Sequence, residues 1–194
     1  LGVRMDEIRR AADAARRERD ALQSLAHTDA LTGLVNRRGL QVALQPLLDA
    51  SGPQSVVALY LLDLDGFKPV NDTHGHDVGD ELLIGVGQRL RAQVRASDLV
   101  ARLGGDEFVV VVSSLQGDPD ALQVGQKLLR SFDAPFVVSG VSCRVGLTVG
   151  YALAPQDGRD AATLLKRADA AMYAGKQAGK NRVQRGGAAA TALG

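Results

Sequence analysis

The sequence predicts an α+β fold, a mainly antiparallel sheet packed by helices. Three observations carry this. Two β-prone runs, Leu99 to Leu103 and Phe108 to Val112, flank Gly104-Gly105, which is the pattern of a hairpin. A third apolar run, Ser55 to Leu62, follows Gly52-Pro53 and reads as a buried strand. Between such runs lie stretches of helical periodicity, so strands and helices alternate without the regular crossover spacing of a parallel sheet.

Each element has a local reason. Leu1 to Leu25 has no Gly or Pro after Gly2 and is rich in Ala, Arg, Asp and Glu, so it predicts a helix. Met5, Ile8, Ala12, Ala15, Leu22 and Leu25 form a loose apolar stripe on it. Arg37 to Ala50 reads as a helix despite Pro46. Gly79 to Val94 is amphipathic, with Leu82, Leu83, Val86, Leu90 and Val94 on one side. Asp120 to Asp133 predicts a helix, Phe136 to Val138 and Ser142 to Ala152 strands, Asp160 to Ala178 a helix, and Asn181 to Gln184 a short last strand. The organisation expected is a linker helix over 1–27, one main domain over 28–185, and a disordered tail of small residues over 186–194.

Composition sets the outer bounds. A chain of 194 residues holds one domain with a proper core plus appendages. A net charge of +1 argues against bulk electrostatic binding of nucleic acid or anionic membrane. Cys143 is the one cysteine, so the chain forms no internal disulfide, as suits a reducing cytosol. No apolar run approaches the ~18 residues of a membrane span. The chain begins at Leu1 and reads as a fragment of a longer protein, cytoplasmic itself or the cytoplasmic part of a membrane-bound one.

Two acidic segments carry the chemistry. Asp106-Glu107 follows the Gly104-Gly105 turn, where a ligand can approach the backbone closely. Adjacent acids at a hairpin tip call for something positive, and a metal ion carrying phosphates is the natural candidate. The strand Ser55 to Leu62 ends in Asp63-Leu64-Asp65-Gly66-Phe67-Lys68, acids and a Gly-containing loop suited to a hard cation. Together they predict one site built from a strand end and a neighbouring hairpin.

With these residues in place, the chain resembles the GGDEF domain, the catalytic domain of bacterial diguanylate cyclases. Asp29-Ala30-Leu31-Thr32-Gly33-Leu34-Val35-Asn36-Arg37 is similar to the family's opening signature. Asp63 to Asp72, continued through Thr73 to Asp80, resembles its metal and nucleotide loop, and Gly104 to Phe108 its name-giving motif. Ala168 to Tyr173, Lys176 and Gly179 to Val183 resemble the closing signature. The resemblance runs from about Asp29 to Val183 and implies a five-stranded, ferredoxin-like core akin to the palm of nucleotidyl cyclases and polymerases.

It also implies an activity: condensation of two GTP into cyclic di-GMP with release of two pyrophosphates, by a homodimer in which each monomer holds one GTP. The metal would be Mg²⁺ or Mn²⁺, two per active site, on Asp63, Asp106, Glu107 and the Leu64 carbonyl. Glu107 is either a further ligand or the group that activates the 3′-hydroxyl. Strand alternation argues that Asp106 and Glu107 play unequal roles. Catalytic weight would fall on Asp106, Glu107 and Lys68. GTP would be held by Gly66, Phe67, Lys68, Asn71, Asp80, Gly104, Gly105, Lys176 and Lys180. Lys180 stands where relatives often carry Arg and keeps the charge without the bidentate fork. Asn71 and Asp80 suit guanine, whose N1–H and N2–H₂ donors adenine lacks.

Arg95-Ala96-Ser97-Asp98 resembles the family's inhibitory product site, for which arginine can fork to phosphate while stacking on a base. A plain helix-end Arg and Asp cap is the alternative. Asp65 and Asp72 are expected to be loop caps. His74 and His76 are expected to be structural, not zinc ligands, and Asp29 and Arg37 a structural pair or cap. Three functions compete: an active cyclase fed by an upstream sensor absent from this chain, a catalytically silent cyclic di-GMP receptor, and a cyclase with relaxed purine choice. Intact Asp63, Lys68, Asn71, Asp80, Asp106 and Glu107 favour the first.

Overall fold

A computed structural model describes residues 2–186. Helix α1 (Gly2–His27) leads into α2 (Arg37–Asp49), then β1 (Val56–Asp65), α3 (Phe67–His74) and α4 (His76–Gln93). The hairpin β2 (Leu99–Gly104) and β3 (Glu107–Leu115) follows, then α5 (Asp118–Arg130) and the small hairpin β4 (Phe136–Val138) and β5 (Val141–Cys143). The last elements are β6 (Gly146–Ala154), α6 (Ala161–Gln177) and β7 (Arg182–Arg185). The main sheet has the order β2-β3-β1-β6-β7 and is antiparallel except at the β6–β7 edge.

The sheet is covered on both faces, which explains why β1 reads as an unbroken apolar run. Tyr60, Leu62, Phe108 and Val110 face α4 and α5 through Leu82, Val86, Leu90 and Leu128. Leu59, Leu61, Val109 and Val111 face α2 and α6 through Leu40, Leu44, Leu164 and Ala168. Pro46 is tolerated in α2 because the carbonyl that loses its helical N–H partner belongs to Val42, itself 60% exposed. Helix α1 keeps Met5, Ile8, Leu22 and Leu25 exposed.

Three expectations are corrected. The segment after Asp65, expected as loop, is helix α3 over Phe67–His74. Gly66 takes a φ of 85°, which turns the chain sharply, and Pro69 falls in the first helical turn, where a missing N–H costs nothing. The single strand expected over Ser142 to Ala152 is two strands in two sheets, broken at Arg144-Val145, because β5 pairs with β4 alone. Gly186, expected to open a disordered tail, donates its N–H to the Tyr151 carbonyl at 2.7 Å; the rest of that tail, 187–194, lies outside the described residues.

Candidate active site

The site forms where β1, β3 and β6 end side by side. Asp63 stands opposite Glu107 on one flank and Thr148 on the other. Paired residues of an antiparallel ladder project to the same face, so these side chains share one surface. The hairpin tip adds Asp106, whose carbonyl accepts from the Leu64 N–H at 3.4 Å. Asp106 therefore belongs to the turn and Glu107 to the strand, and both acids approach the end of β1 by different routes. Strict strand alternation does not apply to a residue in a turn.

The electrostatics of this strand end are tense. Burial and the nearby Asp106 carboxylate push the Asp63 carboxyl up to about 6, against the pull of Lys176. The Lys176 ammonium lies 3.3 Å from Asp63 and 2.5 Å from Asp65, and points at the Leu64 carbonyl at 3.5 Å. Burial alone would lower the Lys176 pKa, but the two carboxylates outweigh it and raise it. Asp63 Oδ1 is buried without a hydrogen-bond partner.

Among the described residues, no three His, Cys, Asp or Glu form a ready-made cage. Mg²⁺ does not need one, since it takes one or two carboxylates and leaves other positions to water and phosphate. The unpartnered Asp63 oxygen beside a second carboxylate fits such an ion. His74 and His76 lie on the exposed surface, at the end of α3 and the start of α4.

Helix α3 supplies the next part. Its N-cap Gly66 offers no side chain, so the N–H groups of the first turn remain uncapped, and Lys68 is exposed beside them. A helix N-terminus of this kind suits an anion. Further along α3, Asn71 Oδ1 is the other buried oxygen without a partner among the described residues. It packs against Gly79 of α4, where an added Cβ would come within 1.7 Å of it. Asp80, the next residue, is exposed. Lys180 is exposed in the left-handed turn after α6, at a φ of 64°.

The hairpin tip is braced from outside. Arg102 Nε and Nη2 donate to the Gly105 carbonyl at 3.0 and 2.8 Å, while its Nη1 meets Asp29 at 3.0 Å. Asp29 also accepts from Thr32 N–H and Oγ1. Asn36 caps α2 through Gly39 N–H and donates to the Ala26 and Thr28 carbonyls, fastening α1 to the same turn. Of the structural pair or cap expected at Asp29 and Arg37, Asp29 takes the cap, on Thr32, and its ion-pair partner is Arg102. Arg37 instead lines an open cavity of about 380 Å³ with Glu107, Lys166 and Asp169.

Asp65 is more than a loop cap. It accepts from Lys176 Nζ at 2.5 Å, Thr148 Oγ1 at 2.7 Å and Asn181 N–H at 3.1 Å. Sequence reasoning missed Arg102, Thr148 and Asn181, because their partners lie 73, 83 and 116 residues away along the chain.

A second polar cluster sits at the far end of α4. Asp98, 4% exposed, accepts from Arg95 N–H at 2.8 Å and pairs with Arg95 Nε at 3.3 Å. Arg95 Nη2 reaches the Ser113 carbonyl at 2.7 Å, and Arg91 braces the turn by donating to the Asp98 and Arg95 carbonyls. A cavity of about 410 Å³ opens beside it, lined by Val94, Val112, Val124 and Lys127 as well as Arg95 and Asp98.

Comparison with known proteins matches residues 26–182 to the family model described as "Diguanylate cyclase, GGDEF domain". The chain is 42% identical over 172 residues to the bifunctional diguanylate cyclase/cyclic di-GMP phosphodiesterase MucR of Pseudomonas aeruginosa, covering 88% of this chain and 25% of that protein. It is 42% identical over 162 residues to the diguanylate cyclase TpbB of the same species, covering 82% and 37%. The chain thus spans between a quarter and just over a third of the length of these relatives. Among solved structures, the coiled coil and GGDEF domain of DgcB from Caulobacter crescentus, in complex with c-di-GMP, superposes with a TM-score of 0.82. Its identity is 25%, over 95% of this chain and 98% of that one. On the family match and these identities, the chain belongs to the GGDEF-domain family of diguanylate cyclases.

Proposed function

We propose that this chain condenses two GTP molecules into cyclic di-GMP with release of two pyrophosphates, acting as a homodimer. The observation that carries the reading is the placement of the two buried unpartnered oxygens. Asp63 Oδ1 lies just before α3, among acids suited to a cation. Asn71 Oδ1 lies within α3, where it can accept from a guanine N–H. Between them, the uncapped first turn of α3 and Lys68 suit phosphates. A buried unpaired acceptor costs about 1–3 kcal/mol, so each of these oxygens suits a ligand group.

In this reading, Asp63, Asp106 and the Leu64 carbonyl would hold two Mg²⁺ or Mn²⁺ ions, with Glu107 as a further ligand or the group that activates the 3′-hydroxyl. When bound, the metal supplies charge neutralisation of the triphosphate and activation of the hydroxyl. The chain's own residues position the reactants. Gly66 and Phe67 N–H groups, Lys68, Lys176 and Lys180 orient the phosphates, and Gly104 and Gly105 let the nucleotide pass the hairpin. Asp80 accepts from guanine beside Asn71. Glu107 accepts the 3′-hydroxyl proton as that oxygen bonds to the α-phosphorus of the partner's GTP and the bond to pyrophosphate breaks. Each monomer carries one GTP, so forming the two phosphodiester bonds of the product requires two chains. The exposed apolar stripe of α1 suits the pairing and links the domain to an upstream sensor.

Arg95 and Asp98 form the inhibitory site for the product, with the adjoining cavity as room for a base. The receptor reading draws on the same cluster, since the Asp98 pocket needs none of the acids at the sheet end.

The test is incubation with GTP and Mg²⁺, with nucleotides resolved by chromatography, beside Asp106→Ala and Arg95→Ala. Cyclic di-GMP from wild type, none from Asp106→Ala and more from Arg95→Ala supports a product-inhibited cyclase. No product from a forced dimer, with product binding lost in Arg95→Ala, makes the chain a receptor.

A further inference from the structure

Lys176 has three N–H donors and three partners of two kinds. Two of them, the Asp63 carboxylate and the Leu64 carbonyl, are groups assigned above to the metal. The third, Asp65, is the nearest at 2.5 Å and belongs to no assigned ligand set. Asp65 is itself held rigidly: its Oδ2 takes Thr148 Oγ1 at 2.7 Å and Asn181 N–H at 3.1 Å, leaving Oδ1 for the ammonium. Thr148 is fully buried on β6 and also accepts from Asn181 N–H at 3.2 Å. Asn181 follows Lys180 in a turn where both take positive φ, 48° and 64°. One carboxylate thus ties β1, β6, α6 and the turn bearing Lys180.

We propose that Asp65 is a positioning residue that anchors Lys176, with Lys176 serving as a stand-in cation at the sheet end of the ligand-free chain. A full positive charge beside Asp63 stabilises a half-buried carboxylate that faces Asp106. With Asp63 and the Leu64 carbonyl engaged by a metal ion, two ammonium donors would be free. Asp65 keeps the third, so the charge stays in place and its free donors meet the triphosphate. An unanchored lysine would lose its position, because its four-carbon stem is flexible. The same carboxylate sets the Lys180 turn, so both cations are prearranged before nucleotide arrives. This inference rests on the GTP-binding reading above.

Asp65→Asn isolates the role. Its amide oxygen can still accept from Thr148 and Asn181, while its amide nitrogen faces the ammonium donor to donor. Affinities for a non-hydrolysable GTP analogue and for GMP, each with Mg²⁺, are measured by calorimetry for wild type, Asp65→Asn and Lys176→Ala. The expected result is at least roughly tenfold weaker analogue binding in both variants, GMP affinity unchanged, and additional loss in the double variant well below the sum. Equal analogue affinity in wild type and Asp65→Asn overturns the proposal. So does an equal loss for the analogue and GMP, which would make Asp65 a structural clamp only.

If Asp65→Asn does not fold, the wild-type Lys176 ammonium is followed by ¹⁵N NMR. Slowly exchanging amino protons before and after analogue binding support the anchor, and their loss on binding refutes it. A forced dimer of the wild-type chain that binds the analogue in this pattern yet makes no cyclic di-GMP removes the cyclase reading and leaves the anchor standing.

Discussion

Arg102→Ala removes the brace of the hairpin tip. The guanidinium makes two hydrogen bonds to the Gly105 carbonyl and a pair with Asp29, and both charged side chains are largely shielded, at 13% and 17% exposure. Breaking a buried charge pair by removing one partner costs about 3–5 kcal/mol. Asp29 keeps its two bonds from Thr32, which lowers the expected cost to roughly 2–3 kcal/mol. For a domain of this size, that is a fall of about 5–10 °C in melting temperature.

The assay is urea unfolding of wild type, Arg102→Ala, Asp29→Asn and the double variant, each at several pH values. A coupling of about 1–2 kcal/mol is expected at neutral pH. Burial tends to raise the Asp29 carboxyl, but bonds from Thr32 and Arg102 outweigh it and hold the folded value below 3.8. A depressed acid stabilises above its unfolded value, and that stability is lost as pH falls through the folded one. The coupling should therefore hold steady down to about pH 4 and shrink below it. Additive single costs at neutral pH, or a coupling that vanishes at pH 6, would refute the reasoning.

Asp63 has the opposite sign. Its folded value of about 6 lies above the unfolded 3.8, so its penalty develops as pH rises through this window. In chelator, Asp63→Asn should raise stability by about 1–2 kcal/mol at pH 8 and by nothing at pH 3.5, as read from melting curves. Gly79→Ala should leave melting almost unchanged, since alanine improves helix propensity by up to ~1 kcal/mol while the new Cβ displaces the end of the Asn71 side chain. Its GTP affinity should fall about tenfold with that of guanosine, and unaltered affinity would remove Asn71 from base recognition.

Much of the fold was legible because its signals are local. The Gly-Gly turn between β-prone runs, the apolar run of β1 and the amphipathic stripe of α4 each depend on neighbours within a few residues. Helix α3 was not legible, because Pro69 and a Gly-containing start read as loop until the backbone placed them in the first turn, where both are permitted. The break between β5 and β6 was equally hidden, since both sides are apolar and only pairing partners separate them.

Contiguous residues settled most of the elements, though not α3 or the break between β5 and β6, together with the two acidic segments and the family resemblance. Tertiary structure alone decided partners. It set Asp63 opposite Glu107, gave Asp29 to Arg102 rather than Arg37, and gathered Lys176, Thr148 and Asn181 on Asp65. The reason is physical: a hydrogen bond or ion pair acts over about 3 Å of space, whatever the separation along the chain. Only the folded sheet brings such residues within that distance.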